Sequence, residues 1–399
     1  MTARICIVGA GPVGVVSALA CARKGLRVTL LESERAIDHG PRAATTHPST
    51  LEMLADLGLF EEFRSVGLVA RHFQFWDGVT GTLIAEFDHD VLRDETPFPF
   101  VVQTEQHKLC EIALRRLSEI PEVEVRLGAK LVELEQKADG VRVITGDGEE
   151  GSFDYVVGCD GGRSTVRGCM AIDFEGYTWP ERFLVLTSLL DFRAALGCCE
   201  RSYISDPAEW TNLFKVMGDD LKGRWRAVYP ARENESDEEA FSEAAVRRRL
   251  QKLHPDHPME LVVHRNIYRV HQRVARCFRK GRVFLAGDAA HVNNPVGGLG
   301  LNCGIHDAME LAETLHLVTA GLAGEEVLDR YERRRRPLNI EFVQQQTVAN
   351  KKRLEERDPR VRERHFDELR RTAADPALHR RFLMRTSLIE SVRKAREIP

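Results

Sequence analysis

Residues 5–14 read ICIVGAGPVG, and this stretch decides the fold. Ile5–Val8 is a short apolar run of the kind that forms a buried strand, and the glycine loop Gly9–Gly14 follows it directly. An alanine- and valine-rich segment comes next and predicts a helix, after which Val28–Leu31 reads as a second buried strand. The order strand, glycine loop, helix and strand is typical of the first unit of a doubly wound α/β fold.

Each glycine of the loop has a separate task in a dinucleotide site. Gly9 allows the tight turn, Gly11 lets the backbone approach a diphosphate, and Gly14 lets the helix pack on the strand. Glu32 ends the second strand, about twenty residues further on, where an acid accepts hydrogen bonds from a ribose. The fingerprint occurs once, so a second dinucleotide is expected to bind transiently. The residues predicted to contact the bound dinucleotide are Gly9, Gly11, Pro12, Val13, Gly14 and Glu32.

Composition argues against several classes of protein. The 399 residues include 57 Lys and Arg against 61 Asp and Glu, a net charge of −4 that disfavours a nucleic-acid partner bound through its phosphates. No apolar run reaches the roughly 18 residues of a membrane span, and residues 1–11 lead directly into a strand, so we do not expect them to act as a signal peptide. The nine cysteines include no Cys-x-x-Cys pair, so we expect reduced thiols in the cytoplasm and no metal site.

Changes of pattern along the chain predict two domains and a tail. Between residues 181 and 275, short strand-like pieces surround a polar helix near Glu238–Leu253, which indicates a β-sheet domain inserted into the first domain. Residues 71–99 look extended and irregular and are assigned to the same domain. The predicted divisions are 1–70, 100–180 and 276–325 for the dinucleotide-binding domain, 71–99 and 181–275 for the substrate domain, and 326–399 for a helical C-terminal region.

Two further motifs complete the pattern. DGGRSTVR, residues 160–167, follows the apolar strand Tyr155–Val157. GDAAHVNNPVGGLGLN, residues 287–302, follows the apolar strand Val283–Ala286 and leads into a helix. Polar groups placed after buried strands lie where α/β sheets bind ligands, and the glycines of the second motif remove side chains where a flat ring could come close.

These motifs, in this order after the glycine loop, resemble those of the class A flavoprotein aromatic hydroxylases, which include para-hydroxybenzoate, phenol and hydroxyphenylpropionate hydroxylases. The resemblance covers roughly residues 1–190 and 260–340. It implies that the dinucleotide is FAD, and that the α/β fold combines a Rossmann-like FAD-binding domain, an inserted β-sheet substrate domain and a helical C-terminal tail. It adds the following residues to the FAD site: Arg42, Gln103, Asp160, Gly161, Asp288, Pro295, Gly298, Gly300, Leu301 and Asn302.

The resemblance also implies a role for several of these residues. Arg42 would reach the flavin or its phosphates, and Gln103 the ribityl–phosphate region. Asp160, with the glycine after it, is linked to both FAD and nicotinamide cofactor binding. Asp288 would hold the ribityl hydroxyls, and the loop that starts at Pro295 would lie along the isoalloxazine ring.

The implied reaction is hydroxylation of an electron-rich aromatic, either a phenol or a hydroxylated heterocycle. FAD would act through a flavin hydroperoxide, with NADH or NADPH as a transient co-substrate and dioxygen as the oxidant. The protein would exclude water and favour phenolate over phenol. We expect the pocket between the ring-side loop and the inserted sheet. No general base can be assigned, Arg201 and Arg226 are the arginines considered for a substrate carboxylate, and the aromatic candidates are Tyr203, Trp210, Phe214 and Tyr229.

Two other functions stay open at this point. One is a reductase or halogenase of the same flavin fold, although the halogenase signature Trp-x-Trp-x-Ile-Pro is absent. The other is a non-catalytic FAD-binding protein that uses its charged tail as an interaction surface. The tail helices are also the expected surface of a homodimer.

Overall fold

The computed structural model describes residues 2–40 and 44–399, which contain both strands and helices. The strands are β1 Arg4–Val8, β2 Arg27–Glu32, β3 Thr45–Thr46, β4 Leu68–Ala70, β5 His72–Asp77, β6 Thr82–Asp88, β7 Val101–Gln103, β8 Val123–Leu127, β9 Leu131–Gln136, β10 Val141–Thr145, β11 Glu150–Phe153, β12 Tyr155–Gly158, β13 Phe174–Ser188, β14 Arg201–Ser205, β15 Thr211–Val216, β16 Arg224–Ala231, β17 Val262–Ala275, β18 Arg279–Lys280, β19 Val283–Leu285 and β20 His291–Val292. The α-helices are α1 Pro12–Arg23, α2 Pro48–Asp56, α3 Phe60–Ser65, α4 Gln106–Ser118, α5 Thr165–Cys169, α6 Phe192–Leu196, α7 Asp237–Phe241, α8 Glu243–Leu253, α9 Gly300–Thr319, α10 Leu328–Asn339, α11 Gln345–Glu355, α12 Pro359–Ala374, α13 Pro376–Thr386 and α14 Ile389–Glu397.

A six-stranded sheet forms the N-terminal unit, in the order β18-β19-β12-β1-β2-β8. Strands β19, β12, β1, β2 and β8 run parallel, and the edge strand β18 is antiparallel. The βαβ unit predicted from the glycine loop is confirmed at the centre of this sheet. Ile5, Ile7 and Val157 are fully buried there, as expected for a parallel sheet with both faces covered.

Helix α9 crosses α1 closely over the turn that follows β19. A Cβ atom at Gly304 would lie 2.6 Å from Cγ2 of Val13 and 3.0 Å from Cα of Gly287. Because real side chains do not tolerate such contacts in a close-packed interior, only glycine permits this crossing. The crossing joins the two ends of the N-terminal unit, which are far apart in the sequence.

An eight-stranded sheet forms the second unit, in the order β20-β17-β13-β16-β15-β14-β5-β6. Its strands come from residues 72–88 and 174–275, with β20 added at one edge. The expectation that residues 71–99 are irregular was wrong, because β5 and β6 pair as an antiparallel hairpin in which Phe73 stands opposite Phe87. The two rings stack at 5.0 Å between centroids, a cross-strand pair of the kind that stabilises hairpins.

The two faces of this sheet pack against different partners. On one face, Leu184, Trp225 and Tyr229 form a hydrophobic cluster with Val246 and Leu250 of α8. On the other face, the sheet packs against helices of the C-terminal region, which supply apolar side chains from α11, α12 and α13. The predicted tail is therefore helical, and it covers a sheet rather than extending away from it. None of the described helices combines the length and the apolar character that a membrane span requires.

A buried ion network ties the turn after β19 to α9 and α10. Asp307 accepts hydrogen bonds from His291 Nε2 at 2.6 Å, Arg335 Nε at 2.7 Å and the backbone N–H of Gly287 at 3.1 Å. Burial raises the pKa of Asp307, but the charges of His291 and Arg335 lower that pKa to about 2. Burial lowers the pKa of His291, but the adjacent Asp307 carboxylate raises it to about 10. Both groups are therefore charged at neutral pH.

The raised pKa of His291 predicts that the fold loses stability at alkaline pH. The contribution of this charge is complete below the ordinary histidine pKa of 6.5 and is lost as pH rises through about 10. We expect the free energy of unfolding to fall across this window by up to roughly 1.4 kcal/mol per pH unit, and His291→Gln to flatten the fall. Urea unfolding between pH 6 and 10 measures both. His264→Gln, at an exposed position of β17, should keep the wild-type slope; an equally steep slope in His291→Gln would contradict the assignment.

Candidate functional site

Four predicted site segments meet along the carboxyl edge of the six-stranded sheet. Asp288 lies in the turn after β19, Asp160 in the turn after β12, and the glycine loop follows β1, while Glu32 ends β2. These strands are neighbours in the order β19-β12-β1-β2. Neighbouring strands lie about 4.8 Å apart, so the four segments form one row about 14 Å long. A row of this length suits an extended ligand such as a dinucleotide.

The glycine loop combines two positions without space for a side chain and one that faces open space. A Cβ atom at Gly9, whose φ is +103°, would lie 2.5 Å from the carbonyl oxygen of Cys159. A Cβ atom at Gly14 would lie 1.8 Å from the carbonyl oxygen of Gly9. At Gly11, by contrast, a Cβ atom would meet no protein atom within 4 Å. Gly11 caps the N-terminus of α1, so a phosphate can approach the helix N–H groups there.

Glu32 fixes the shape of the glycine loop and faces the same space. Its Oε2 accepts from the backbone N–H of Ala10 at 2.6 Å, and its Oε1 accepts from Ser33 and Glu34 at 2.9 Å each. The side chain is partly exposed. A carboxylate offers about four acceptor positions, so one remains for a ribose hydroxyl.

The structure gives Asp160 a capping role. Its carboxylate accepts from Ser164 Oγ at 2.5 Å and from the backbone N–H groups of Thr165 and Val166 at 2.7 and 3.1 Å. Burial raises the pKa of this carboxyl group. Asp160 therefore shapes the start of α5, and the adjacent Gly161 has open space on its Cβ side and faces outward. The predicted contact with FAD is then better made by the backbone of this turn than by the carboxylate.

Arg167 joins the turn after β12 to the turn after β19. Its guanidinium donates to the carbonyl oxygens of Ala289 at 2.9 Å and Gly162 at 2.8 Å. Between the buried Gly287 and Ala289, the side chain of Asp288 is exposed. Asp288 is therefore exposed at the carboxyl edge of the sheet, and its role in holding a sugar chain stays a prediction.

The ring-side loop, Pro295–Leu299, leads into the N-terminus of α9. Asn302 is fully buried, and its amide donates to the carbonyl oxygens of Thr45 at 2.9 Å and Gly298 at 2.7 Å and accepts from the backbone N–H of His47 at 2.8 Å. Its side chain therefore braces the loop and is not available to a ligand. The first two residues of α9, Gly300 and Leu301, are partly exposed and present backbone N–H groups at the positive end of the helix dipole.

Gln103 and Arg42 are the two remaining residues that the sequence predicts to contact FAD. Gln103 is fully buried, where its amide accepts from Thr45 Oγ1 at 3.0 Å and donates to the carbonyl oxygen of Glu200 at 2.8 Å. It braces two strands and offers no exposed side-chain surface to a cofactor. Arg42 lies outside the described residues, so its role stays a prediction.

A cavity lies between the ring-side loop, the eight-stranded sheet and the tail helices. This is the region in which the sequence predicted the substrate pocket. Its apolar walls are aromatic rings of β5 and side chains of the loop and the tail, and a single cation, Arg201, is among the lining residues. The described lining consists of Phe73, Phe75, Arg201, Tyr203, Val296, Gly297, Leu299, Gln346, Asn350, Leu354, Phe382 and Thr386.

The four aromatic candidates divide between this cavity and the core. Tyr203 belongs to the described lining, whereas Phe214 lies on the next strand and packs at the edge of the same cluster. Trp210, an expected substrate contact, is instead buried and packs edge-on against Phe183, with 5.0 Å between the ring centroids. The structure also corrects the expectation for Tyr229, which is buried on the opposite face of the sheet. Trp210 shares its hydrophobic cluster with Tyr203 but does not belong to the described lining, whereas Tyr229 lies in a different cluster.

Sequence reasoning missed the contribution of the tail to this cavity. Helix α11 supplies Gln346, Asn350 and Leu354, and α13 supplies Phe382 and Thr386. The available signal was the presence of Leu354 and Phe382 in otherwise strongly charged helices. That signal shows that each helix has a buried side, but not which surface it covers.

Folding also brings together two groups of side chains that could ligate a metal. They are His39, His107 and Glu111, and His291, Cys303 and Asp307. In the second group Asp307 is already bonded to Arg335, and in the first the two imidazole rings stack at 4.2 Å while His39 pairs with Glu111 at 3.0 Å. Members of both groups are therefore already engaged by contacts within the protein.

Comparison with known proteins identifies relatives over nearly the whole chain. A family model described as an FAD binding domain matches residues 2–346. Para-nitrophenol 4-monooxygenase of Pseudomonas sp. (strain WBC-3) is 35% identical over 390 residues, which cover 95% of this chain and 94% of the relative. The 6-hydroxy-3-succinoylpyridine 3-monooxygenase of Pseudomonas putida is 33% identical over 368 residues, 90% and 91% of the two chains. A crystal structure of p-nitrophenol 4-monooxygenase from Pseudomonas putida matches with a TM-score of 0.88 at 35% identity over 98% of each chain.

The three glycines predict different effects of alanine substitution. Gly11→Ala should leave the stability of the apoprotein unchanged and weaken FAD binding about tenfold or more, because the new methyl group enters the space open to a phosphate. Gly14→Ala should destabilise the apoprotein itself, since its methyl group would overlap the backbone of Gly9. Thermal unfolding and flavin fluorescence titration measure the two effects.

Gly168→Ala is the matched control, because a Cβ atom there meets nothing within 4 Å and the residue lies in α5, away from the glycine loop. It should change neither stability nor FAD affinity. Unaltered FAD binding in Gly11→Ala would contradict the placement of the phosphates at α1.

Proposed function

Because this chain belongs to the family of FAD-dependent aromatic hydroxylases, we propose that its cavity holds a single-ring phenol or hydroxypyridine, which is hydroxylated beside the flavin. The family determines the reaction: the enzyme is an FAD-dependent monooxygenase that consumes NAD(P)H and dioxygen and hydroxylates an aromatic small molecule. The observation that carries the proposal about the substrate is the aromatic-walled cavity against the ring-side loop, with one buried arginine.

The residues of the carboxyl edge fit FAD. The open space at Gly11 and the N-terminus of α1 would take the diphosphate, and Glu32 the adenosine ribose. Asp288 would take ribityl hydroxyls, and the start of α9 would face the end of the ring at which negative charge develops. Bound FAD supplies the redox and oxygen chemistry of the reaction.

Side chains of the cavity hold and orient the substrate ring. Phe73 and Phe75 of β5 and Phe382 of α13 present apolar surface to the cavity. Such walls exclude water and confine a flat ring to one plane.

The substrates named for the two relatives are consistent with this class. One relative is named for para-nitrophenol and the other for 6-hydroxy-3-succinoylpyridine. Both compounds are single aromatic rings that carry a hydroxyl group and a polar substituent. We propose that the substrate of this chain belongs to the same chemical class.

A basic strip next to the turn after β12 is the proposed contact for NAD(P)H. Arg269, His271 and Arg273 alternate along β17 and therefore share one face, and Arg163 is exposed in the turn. Burial, and then the charges of Arg273, Arg163 and Arg269, lower the pKa of His271, which shows that the three guanidinium groups act on one small region. A transiently bound diphosphate would be attracted there.

We also propose that the enzyme works in the cytoplasm. All nine cysteines are free, as expected in a reducing compartment. A homodimer is a further part of the proposal, and light scattering after size-exclusion chromatography measures it.

Turnover measurements test the function directly. Purified FAD-loaded enzyme should oxidise NADH or NADPH slowly by itself and many times faster with phenols or hydroxypyridines, with oxygen consumption and a hydroxylated product. A reductase of the same fold would turn over without oxygen, so the same assay under anaerobic conditions separates the two. The proposal fails if none of these rings accelerates NAD(P)H oxidation or yields a hydroxylated product.

Neutralising one charge of the basic strip predicts a selective change in NAD(P)H kinetics. Arg269→Gln should raise the KM for NAD(P)H about two- to fivefold, the range for one exposed charge contact, and leave FAD affinity unchanged. Steady-state kinetics at low and high salt measures this KM. The difference in KM between Arg269→Gln and the wild type should shrink at high salt, because salt screens the charge. Arg276→Gln is the matched control, since Arg276 is exposed beyond the strip and pairs with Asp173. Equal KM values in both variants would place NAD(P)H elsewhere.

A further inference from the structure

Arg201 is a buried cation inside the proposed substrate cavity. It begins β14, is only 6% exposed, and lines the cavity beside Tyr203 and Gly297. Its guanidinium lies over the ring of Phe73 at 5.0 Å from the centroid and over that of Tyr203 at 5.6 Å. These rings hold the guanidinium in place and remove it from water.

The hydrogen bonds of Arg201 within the described part of the chain go to uncharged groups. Nε and one Nη donate to the hydroxyl of Tyr203 at 3.2 and 2.9 Å, and the same Nη donates to the carbonyl oxygen of Gly297 at 3.2 Å. The neighbouring carboxylate of Glu200 points away and pairs with Arg193. A buried cation without a carboxylate partner is costly, so the fold is stabilised when a ligand supplies the negative charge.

The titratable groups around Arg201 do not neutralise it. Burial, and then the charge of Arg201, lower the pKa of His47 and of His89, so both imidazoles are uncharged at neutral pH. The described lining residues of the ring-side loop, α11 and α13 carry no titratable side chain. Tyr203 accepts two hydrogen bonds from Arg201 and keeps its own hydroxyl hydrogen for a further acceptor. The cavity therefore has one net positive charge and a second donor beside it.

We propose that Arg201 is the counter-ion of an ionised oxygen of the substrate, with the hydroxyl of Tyr203 as the second donor to that oxygen. The inference rests on the proposed function in taking the ligand to be a hydroxylated aromatic ring. Binding then favours the phenolate, and the phenolic proton leaves to solvent. An ionised oxygen raises the electron density of the ring, so Arg201 is a specificity-determining residue that selects substrates able to ionise.

The hydrogen bond from Arg201 to the carbonyl oxygen of Gly297 also affects where a bound anion would lie. Gly297 belongs to the ring-side loop, so Arg201 connects the substrate sheet to the loop that flanks the proposed flavin site. An anion held by Arg201 is therefore placed at a constant distance from that loop. A neutral methyl ether of the same ring would leave the guanidinium uncompensated and should bind poorly.

The ionisation of bound 4-nitrophenol tests the proposal, because its phenolate absorbs visible light and the phenol does not. Holoenzyme is titrated with 4-nitrophenol at several pH values without NAD(P)H. We expect the bound phenol to ionise at least one pH unit below the free compound, and binding to exceed that of 4-nitroanisole. Arg201→Met should abolish the shift and weaken binding about tenfold to a hundredfold. Arg201→Lys should keep the shift in part.

Two controls make the result specific. Arg193→Met removes an exposed arginine near Arg201 and should leave the bound pKa and the affinity unchanged. The apoprotein of Arg201→Met should be at least as stable as the wild type, because an uncompensated buried charge is removed. A merely structural role for Arg201 would instead lower that stability.

The outcomes separate this inference from the proposed function. An equal bound pKa in the wild type and Arg201→Met overturns the role of Arg201, even if phenols are hydroxylated. A clear shift that depends on Arg201, in an enzyme that hydroxylates no phenol, supports the anion site and overturns the proposed function. Equal affinity for 4-nitrophenol and 4-nitroanisole also overturns the inference.

Discussion

The buried carboxylate of Asp307 makes the hydrogen bonds on which the arrangement of the carboxyl edge of the six-stranded sheet depends. It is fully buried and accepts hydrogen bonds from His291, Arg335 and the backbone of Gly287. Since these partners belong to β20, α10 and the turn after β19, one side chain of α9 positions three other segments. An ionised carboxylate at this depth is tolerated only because donors surround it, so any shift of one segment would expose an uncompensated charge. The carboxyl edge of the six-stranded sheet therefore depends on a contact that is buried inside the protein.

Close approach of backbones supplies the rest of that geometry. Gly14 and Gly304 lack side chains where other main-chain atoms lie within 3 Å of the missing Cβ position. Two acidic side chains accept hydrogen bonds from the protein backbone. Glu32 holds the glycine loop, and Asp160 caps α5. What remains exposed at the edge is a row of backbone N–H groups and two acids, Glu32 and Asp288. This surface suits an extended ligand with phosphates at its centre and hydroxyl groups towards its ends.

In the proposed substrate cavity, by contrast, the protein does not compensate a buried charge. Asp307 is compensated within the protein, whereas Arg201 donates only to uncharged groups of the described chain. A site that stores an uncompensated charge is less stable without its ligand than with it, and functional sites commonly carry such a cost. Residues of α11 and α13 line the same cavity, so the C-terminal helices form part of its wall as well as the cover of the sheet.

The sequence by itself determined the elements whose signals are local. The glycine loop between two apolar strands and the two later motifs after buried strands are confirmed, because each depends on neighbouring residues or on a short period. Their order along the chain resembles that of the class A flavoprotein aromatic hydroxylases, and this resemblance implied a flavin-dependent hydroxylase.

Only the tertiary structure decided which side chains face a ligand. Gln103 and Asn302 belong to motif positions, yet their amides are consumed by bonds to distant strands. Tyr203 and Tyr229 look alike in sequence, but one lines the cavity and the other lies in the opposite core. Phe382 joins the cavity from the far end of the chain. Sequence periodicity shows that a residue is buried, but the partner across the interface is set by long-range packing, which leaves no local signal.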